Sequence, residues 1–228
     1  MPIIWRSDCK ILARSYAQRP MKLPFLTFAR DVEAIEKAID EFYKTVEKIS
    51  KSPKPKQEKK YHELLKKFPD FILGDTYDQF FYERNFVLPS DISKNYEPDF
   101  IRRHKFYKFN NSANVLEIKL PNERYLSKRK FHPTLSSGFV KSISQVWDYQ
   151  DYFNDNKNSS IITNQLGYFP KMTHSLLLGR AGERDAHLEL LEKRLQRLKL
   201  DNITLITYDD LIRQREKLLK YRQLYLVY

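Results

Sequence analysis

The sequence predicts an α/β protein: a mixed sheet flanked by helices, with a small N-terminal appendage of helix and strand. Three observations carry this. From residue 58 onward, strand-length apolar runs and helix-length amphipathic stretches follow the order helix, three strands, helix, strand, helix, strand, helix. Such alternation implies strands sharing one sheet with helices packed on it. Two of the runs, in SLLLGR and NITLITY, are apolar throughout, as buried strands are. With 228 residues, the chain is long enough for one large domain or a domain plus an appendage.

The elements follow in order. Residues 1–28 carry short apolar pieces, KILARSY and LPFLTFA, broken by Pro20 and Pro24, and read as one or two short strands. Over residues 30–50, Val32, Ile35, Ile39, Phe42, Val46 and Ile49 recur at spacings of three and four, which predicts an amphipathic helix. Its seam is close to a coiled-coil pattern, so it either packs on a neighbouring element or forms an oligomer contact. SKSPKPKQ, residues 50–57, reads as an exposed basic linker. It sets a boundary between an N-terminal region, 1–56, and a second unit, 57–228.

In the second unit a helix is expected from Glu58 to Phe68, then a β-rich region from Phe71 to Pro89. YEPDFIRR and NVLEIKL read as the next two strands, joined by a polar turn around Asn110–Asn114. A basic loop, RYLSKRKFHP, leads to a helix over residues 138–153 with Val140, Ile143, Val146 and Trp147 as its apolar face. A polar loop rich in Asn and Ser separates it from the SLLLGR strand. The charged stretch ERDAHLELLEKRLQRLKL reads as a helix whose inner stripe is Leu188, Leu191, Leu195 and Leu198. NITLITY is the last strand, and DDLIRQREKLLKY the last helix, with Asp209 or Asp210 near its N-cap.

Charge narrows the partners. Lys and Arg number 41 against 29 Asp and Glu, a net charge of +12, which favours a polyanion, nucleic acid before an anionic membrane surface. One cysteine, Cys9, allows no intrachain disulfide and no cysteine zinc site, which fits a reducing cytoplasm. MPIIWRSDCK lacks the apolar segment of a signal peptide, and no run approaches the ~18 apolar residues that span a membrane. No glycine-rich phosphate loop occurs: Gly179-Arg180-Ala181-Gly182 lacks the Lys-Ser/Thr that such a loop needs.

The stretch from residue 97 to 120, EPDFIRRHKFYKFNNSANVLEIKL, carries the candidate chemistry. Side chains alternate along a strand, so Glu117 and Lys119 project from one face, and Leu116, Ile118 and Leu120 from the other. With Asp99 on a neighbouring strand, two carboxylates and an amine converge, a donor set suited to Mg²⁺ and a phosphate. The competing reading makes Glu117 and Lys119 a solvated strand face and Asp99 a turn residue. Acid-x-Lys also occurs at Asp8, Glu58 and Asp155, but only Glu117 sits in a β-like apolar run. Gln145 and Tyr149 share a helical face one turn apart; they are either a packed Tyr with a solvated Gln, or a polar pair aimed at the carboxylates. None of the five histidines, His62, His104, His132, His174 and His187, pairs with another His or Cys at metal spacing, so zinc is not expected; His104 and His132 are left to substrate contact or the surface. Arg102, Arg103, Lys128, Arg129 and Lys130 flank the site in sequence and are either solvated charges or phosphate contacts.

EPDF followed by LEIK resembles the PD-(D/E)xK nuclease superfamily, whose core has the element order read above, and Gln145 to Tyr149 matches its QxxxY element. More narrowly, FPDFILG, EPDFIRR, LEIKLP, SISQVWDYQDYF, LLLGR and ITLITYDDL, from residue 58 to the end, resemble the Shedu family of prokaryotic anti-phage defence nucleases. The resemblance implies a PD-(D/E)xK nuclease-like domain over 57–228. It implies Asp99 and Glu117 as ligands to Mg²⁺ or Mn²⁺, Lys119 positioning or activating water, Gln145 assisting, and Tyr149 beside the nucleic acid. An acid from the first helix is often added; Glu58 fills that place, with Glu63 behind it. It further implies a homo-oligomer that hydrolyses DNA phosphodiesters. The rivals are a non-catalytic nucleic-acid-binding or regulatory protein on the same fold, and a nuclease of restriction or repair type.

Overall fold

The structure is a computed structural model and describes residues 32–51, 57–74, 77, 79–83, 86–88, 91–103, 112–127, 132–198 and 203–225. The elements are α1 (Val32–Lys51), α2 (Glu58–Lys67), α3 (Asp70–Leu73), β1 (Gln79–Tyr82), β2 (Phe86–Leu88), β3 (Asp91–Tyr96), β4 (Phe100–Arg103) and β5 (Ser112–Ile118). They continue as α4 (Ser137–Asn154), a 3₁₀ turn at Asn156–Asn158, α5 (Ser159–Leu166), β6 (Lys171–Leu177), α6 (Ala181–Ala186), α7 (Leu188–Arg197), β7 (Ile203–Ile206) and α8 (Tyr208–Tyr225). The strands expected within residues 1–28 and most of the basic linker lie outside the described residues.

Five strands form one mixed sheet in the order β1-β4-β5-β6-β7, and β2 pairs with β3 in a separate ribbon. β1, β4 and β5 run antiparallel; β5, β6 and β7 run parallel. The strand carrying Glu117 is thus the third of this sheet along the chain and sits at its centre. This central strand has helices packed on both faces of the sheet, which is why β5 is buried along nearly its whole length. Leu116, Ile118 and Phe100 join α1, α2 and α8 in one core, with Phe42, Tyr61, Phe71 and Tyr208. On the opposite face Ala113, Val115 and Ile101 meet Tyr149 and Tyr152 of α4 and Ile162 of α5.

The periodicity of α1 is realised as core packing. Phe42 and Val46 are fully buried, and the Phe42 ring stacks on Phe71 with centroids 4.1 Å apart. Arg180 donates to Glu47 at 2.6 Å and grips Asp209 at the start of α8, tying α1 to the sheet end. The hydrophobic core therefore runs across the boundary drawn at residue 56. α8 starts in a reciprocal cap: Asp210 N–H donates to Thr207 Oγ1 at 3.2 Å and Thr207 N–H to Asp210 Oδ2 at 2.9 Å. Asp210, the second of the two acids expected near this end, sits three residues inside the cap.

Several local expectations are corrected. Phe71 does not open a β region: it lies in α3, which Gly74 ends with φ of 62°. YEPDFIRR is two strands broken at Glu97–Asp99, because Pro98 has no N–H to give a ladder. Ser112–Asn114 is strand, and the Asn114 amide is satisfied by Arg102, Thr173 and Ser175. The Asn/Ser-rich stretch after α4 is helical: Asp155 Oδ1 accepts from Lys157 N–H at 2.9 Å, and such residues start helices as readily as they make loops. The charged helix breaks at His187 into α6 and α7; Leu191 and Leu195 stay buried, while Leu188 and Leu198 at its ends are exposed. On α4, Val140 is exposed and Phe139 takes its place in the core.

Candidate active site

The register of β4 on β5 sets the site. Phe100 lies opposite Leu116 and Ile101 opposite Val115, so one step further Asp99 falls beside Glu117 at the strand ends. Asp99 Oδ2 accepts the Ile118 N–H at 2.7 Å, which pins its carboxylate to the end of β5. Lys119, one residue past the strand, anchors its own N–H on Leu177 O at 2.8 Å. Its Nζ donates to Glu117 Oε1 at 2.7 Å and to Glu58 Oε1 at 3.1 Å. Asp99, eighteen residues before Glu117 in sequence, thus joins Glu117 and Lys119 at the carboxyl end of the parallel strands, where open α/β sheets bind ligands. Glu58 enters from the first turn of α2.

The α2 helix also delivers His62, one turn after Glu58. Ligand atoms of Glu58, His62 and Asp99 all lie within 4.8 Å of one another. His62 Nε2 is 3.4 Å from Asp99 Oδ1, and Nδ1 is 3.5 Å from both Glu83 Oε1 and the Tyr82 hydroxyl. The Tyr82 hydroxyl in turn donates to Glu83. His62 is missed by sequence reasoning because its site partners are Asp99 and Glu83, not another His or Cys. The available signal is its place four residues after Glu58, which gives both one helical face.

Burial dominates the electrostatics. Glu117 is 1% exposed, and Glu117 Oε2 has no hydrogen-bond partner among the described residues. Burial, then the Asp99 charge, pushes the Glu117 carboxyl up to about 8, against the pull of Lys119. Burial likewise raises Asp99 to about 7, while the Ile118 N–H and Lys119 oppose the shift. Burial alone depresses the Lys119 ammonium, but Glu117, Glu58 and Asp99 together outweigh it and hold its pKa above the ordinary lysine value. The site gathers three carboxylates, Asp99, Glu117 and Glu58, around the ammonium of Lys119.

Other expected residues sit differently. Gln145 Nε2 donates to the Tyr149 hydroxyl at 2.8 Å, and that hydroxyl reaches Glu97 O at 3.3 Å. Tyr149 stands near Glu117: burial first and the Glu117 charge second keep its phenol protonated. At 3% exposure, however, Tyr149 is a core residue and does not present a ring to nucleic acid. Arg102 is also corrected, being 7% exposed. Its guanidinium donates to Asn114 Oδ1 at 3.0 Å, Ile72 O at 3.0 Å and Ser175 Oγ at 3.2 Å, over the Tyr77 ring. β4 is covered on both faces, and Arg102 turns inward on the face it shares with Phe100. Arg103 spends its donors on the backbone carbonyls of Leu166 and Tyr168. Glu63 points outward to Lys66 at 3.1 Å. Glu97 and His132 are exposed. Lys128, Arg129, Lys130 and His104 lie outside the described residues.

Comparison with known proteins gives two likenesses. The family model for the Shedu protein SduA, C-terminal, matches residues 55–212. Among solved structures, the restriction endonuclease FokI bound to DNA is similar at 16% identity, with a TM-score of 0.43. That likeness covers 82% of this chain and 30% of the FokI chain. No curated protein matches. Among the described residues no helix is long and apolar enough to cross a membrane.

Proposed function

The chain belongs to the Shedu SduA C-terminal family, and we propose that it is a divalent-metal-dependent DNA endonuclease of prokaryotic anti-phage defence, working in the cytoplasm as a homo-oligomer. The observation that carries the reading is the meeting of Asp99, Glu117 and Lys119 at one strand end, with Lys119 Nζ 2.7 Å from Glu117.

The donor set suits Mg²⁺ or Mn²⁺. Carboxylate oxygens are their usual ligands, and Glu117 Oε2 is buried without a hydrogen-bond partner, as an oxygen reserved for a cation would be. Asp99 and Glu117 would hold the ion, with Glu58 from α2 completing the acidic wall. When bound, it supplies Lewis-acid polarisation of a phosphoryl oxygen and acidifies water.

The chain's own residues do the rest. Lys119 remains an ammonium at neutral pH, so it offsets charge developing on the phosphoryl oxygens and orients the attacking water rather than taking its proton. Gln145 fixes the Tyr149 hydroxyl next to Glu117, and this hydrogen-bonded pair limits the positions that the Glu117 carboxylate can take. With Arg102 in the interior, phosphate contacts fall to exposed lysines beside the site, Lys59 and Lys60 on α2 among them. The net charge of +12 supports a polyanionic substrate.

The test is cleavage of supercoiled plasmid with Mg²⁺ or Mn²⁺. The wild-type chain is expected to cut and to stop with chelator. Lys119→Ala is expected to lower the rate by about 10²–10³-fold, the scale of losing one charge-stabilising donor. A folded wild-type chain that leaves plasmid intact with either ion overturns the reading, as does Lys119→Ala cutting at the wild-type rate.

A further inference from the structure

We propose that His62 is a nitrogen ligand of the same centre, so that Glu58, His62 and Asp99 make a mixed nitrogen and oxygen seat that favours Mn²⁺ over Mg²⁺. The inference rests on the divalent-metal reading above and names which ion the site prefers.

Four observations converge. The ligand atoms of Glu58, His62 and Asp99 lie within 4.8 Å of one another, a span one cation can bridge. His62 is more than nine-tenths buried, and its Nε2 has no hydrogen-bond partner among the described residues. That nitrogen faces Asp99 Oδ1 at 3.4 Å without the alignment of a hydrogen bond. A buried imidazole edge aimed at a carboxylate and left unpaired needs a further occupant to satisfy it.

The opposite edge of the ring is held. His62 Nδ1 stands 3.5 Å from both the Tyr82 hydroxyl and Glu83 Oε1, and the Phe100 ring packs edge-on against the imidazole. A metal-ligating histidine commonly has its second nitrogen on a carboxylate, which fixes ring orientation and tautomer. Glu83 is placed for this by its backbone. Its φ of 42° is a left-handed conformation that a glutamate adopts only under constraint, and its N–H donates to Asp99 O at 3.2 Å. One backbone bond therefore couples the residue orienting His62 to the residue beside it in the site.

The ligand chemistry sets the preference. Mg²⁺ takes oxygen and keeps several waters, whereas imidazole raises affinity for first-row transition dications. An all-carboxylate site accepts either ion, and an added imidazole tilts it to Mn²⁺.

The test reads binding, not cleavage. Electron spin echo envelope spectra of the full chain loaded with Mn²⁺ are expected to show imidazole nitrogen coupling that disappears in His62→Gln. By titration calorimetry, His62→Gln is expected to weaken Mn²⁺ about 10- to 100-fold and Mg²⁺ by less than about threefold. The wild-type spectrum is decisive alone should the variant fail to fold. Bound Mn²⁺ without nitrogen coupling, or coupling that persists in folded His62→Gln, overturns the assignment and leaves the nuclease reading standing. A chain that binds no Mn²⁺ and cuts no plasmid overturns both.

Discussion

Replacing Glu117 with glutamine removes one negative charge from the driest part of the site while keeping its shape. The fold holds this carboxyl at about 8, against 4.5 for the free side chain. Because the folded-state value is raised, the group's stabilising contribution is complete below about pH 4.5 and lost as pH rises through about 8. Keeping the carboxylate ionised at high pH costs at most about 5 kcal/mol, at roughly 1.4 kcal/mol for each pH unit of difference. Asp99 raises Glu117 through its own charge, and protonating either acid relieves the pair. Glu117→Gln also gives up the charged Lys119 bond, worth about 1.5–3 kcal/mol, so we expect about 2 kcal/mol of net stabilisation at pH 8 with chelator. For a chain of this length that is a rise in Tm of about 4–8 °C. Calorimetric melts at pH 5.5, 7 and 8.5, with EDTA and then with Mn²⁺, measure it. The wild-type Tm in EDTA should climb on acidification from 8.5 to 5.5, and the variant's should climb less. Mn²⁺ should raise Tm in the wild type and far less in the variant. A variant melting at or below the wild type at pH 8.5 in EDTA refutes the reasoning and makes the Glu117–Lys119 pair a structural ion pair.

Other expectations follow from the packing. Phe42 is fully buried against Phe71 and Tyr208, so Phe42→Ala should cost about 3–5 kcal/mol by chemical denaturation. For the same reason a chain beginning at residue 57, which lacks Phe42 and Val46, should lose its cooperative melt. Arg102→Met leaves Asn114, Ser175 and the Ile72 carbonyl short of a donor and should cost about 2–3 kcal/mol, read by urea melts. Because Arg102 is interior, the salt dependence of DNA binding should be unchanged in that variant, and a shallower slope would show it reaching phosphate.

Of the active-site set, the part that follows a local period is legible in the chain. An apolar run with Glu117 and Lys119 two apart fixes a strand with both on one face, whatever lies beyond it. The spacing of Phe42 and Val46 likewise fixes which side of α1 is apolar, but not what covers it. Only the folded chain shows that the cover is the same core that seats the site, across the linker.

His62 marks the limit of that legibility. Its meaning depends on the β4–β5 register, which sets Asp99 beside Glu117, and on how α2 crosses the strand ends; no spacing in sequence encodes either. Arg102 errs in the opposite direction. A charged residue reads as surface by default, because burying an unpaired charge is costly. Here a cluster of Asn114, Ser175 and a backbone carbonyl, gathered from three distant segments, makes burial tolerable. The sequence by itself determined the alternation of strands and helices and the residue types of the site, since those rest on periodicity and chemistry. Tertiary structure alone decided which charges face the pocket and which face the core, because burial and partnership come from contacts between segments far apart in the chain.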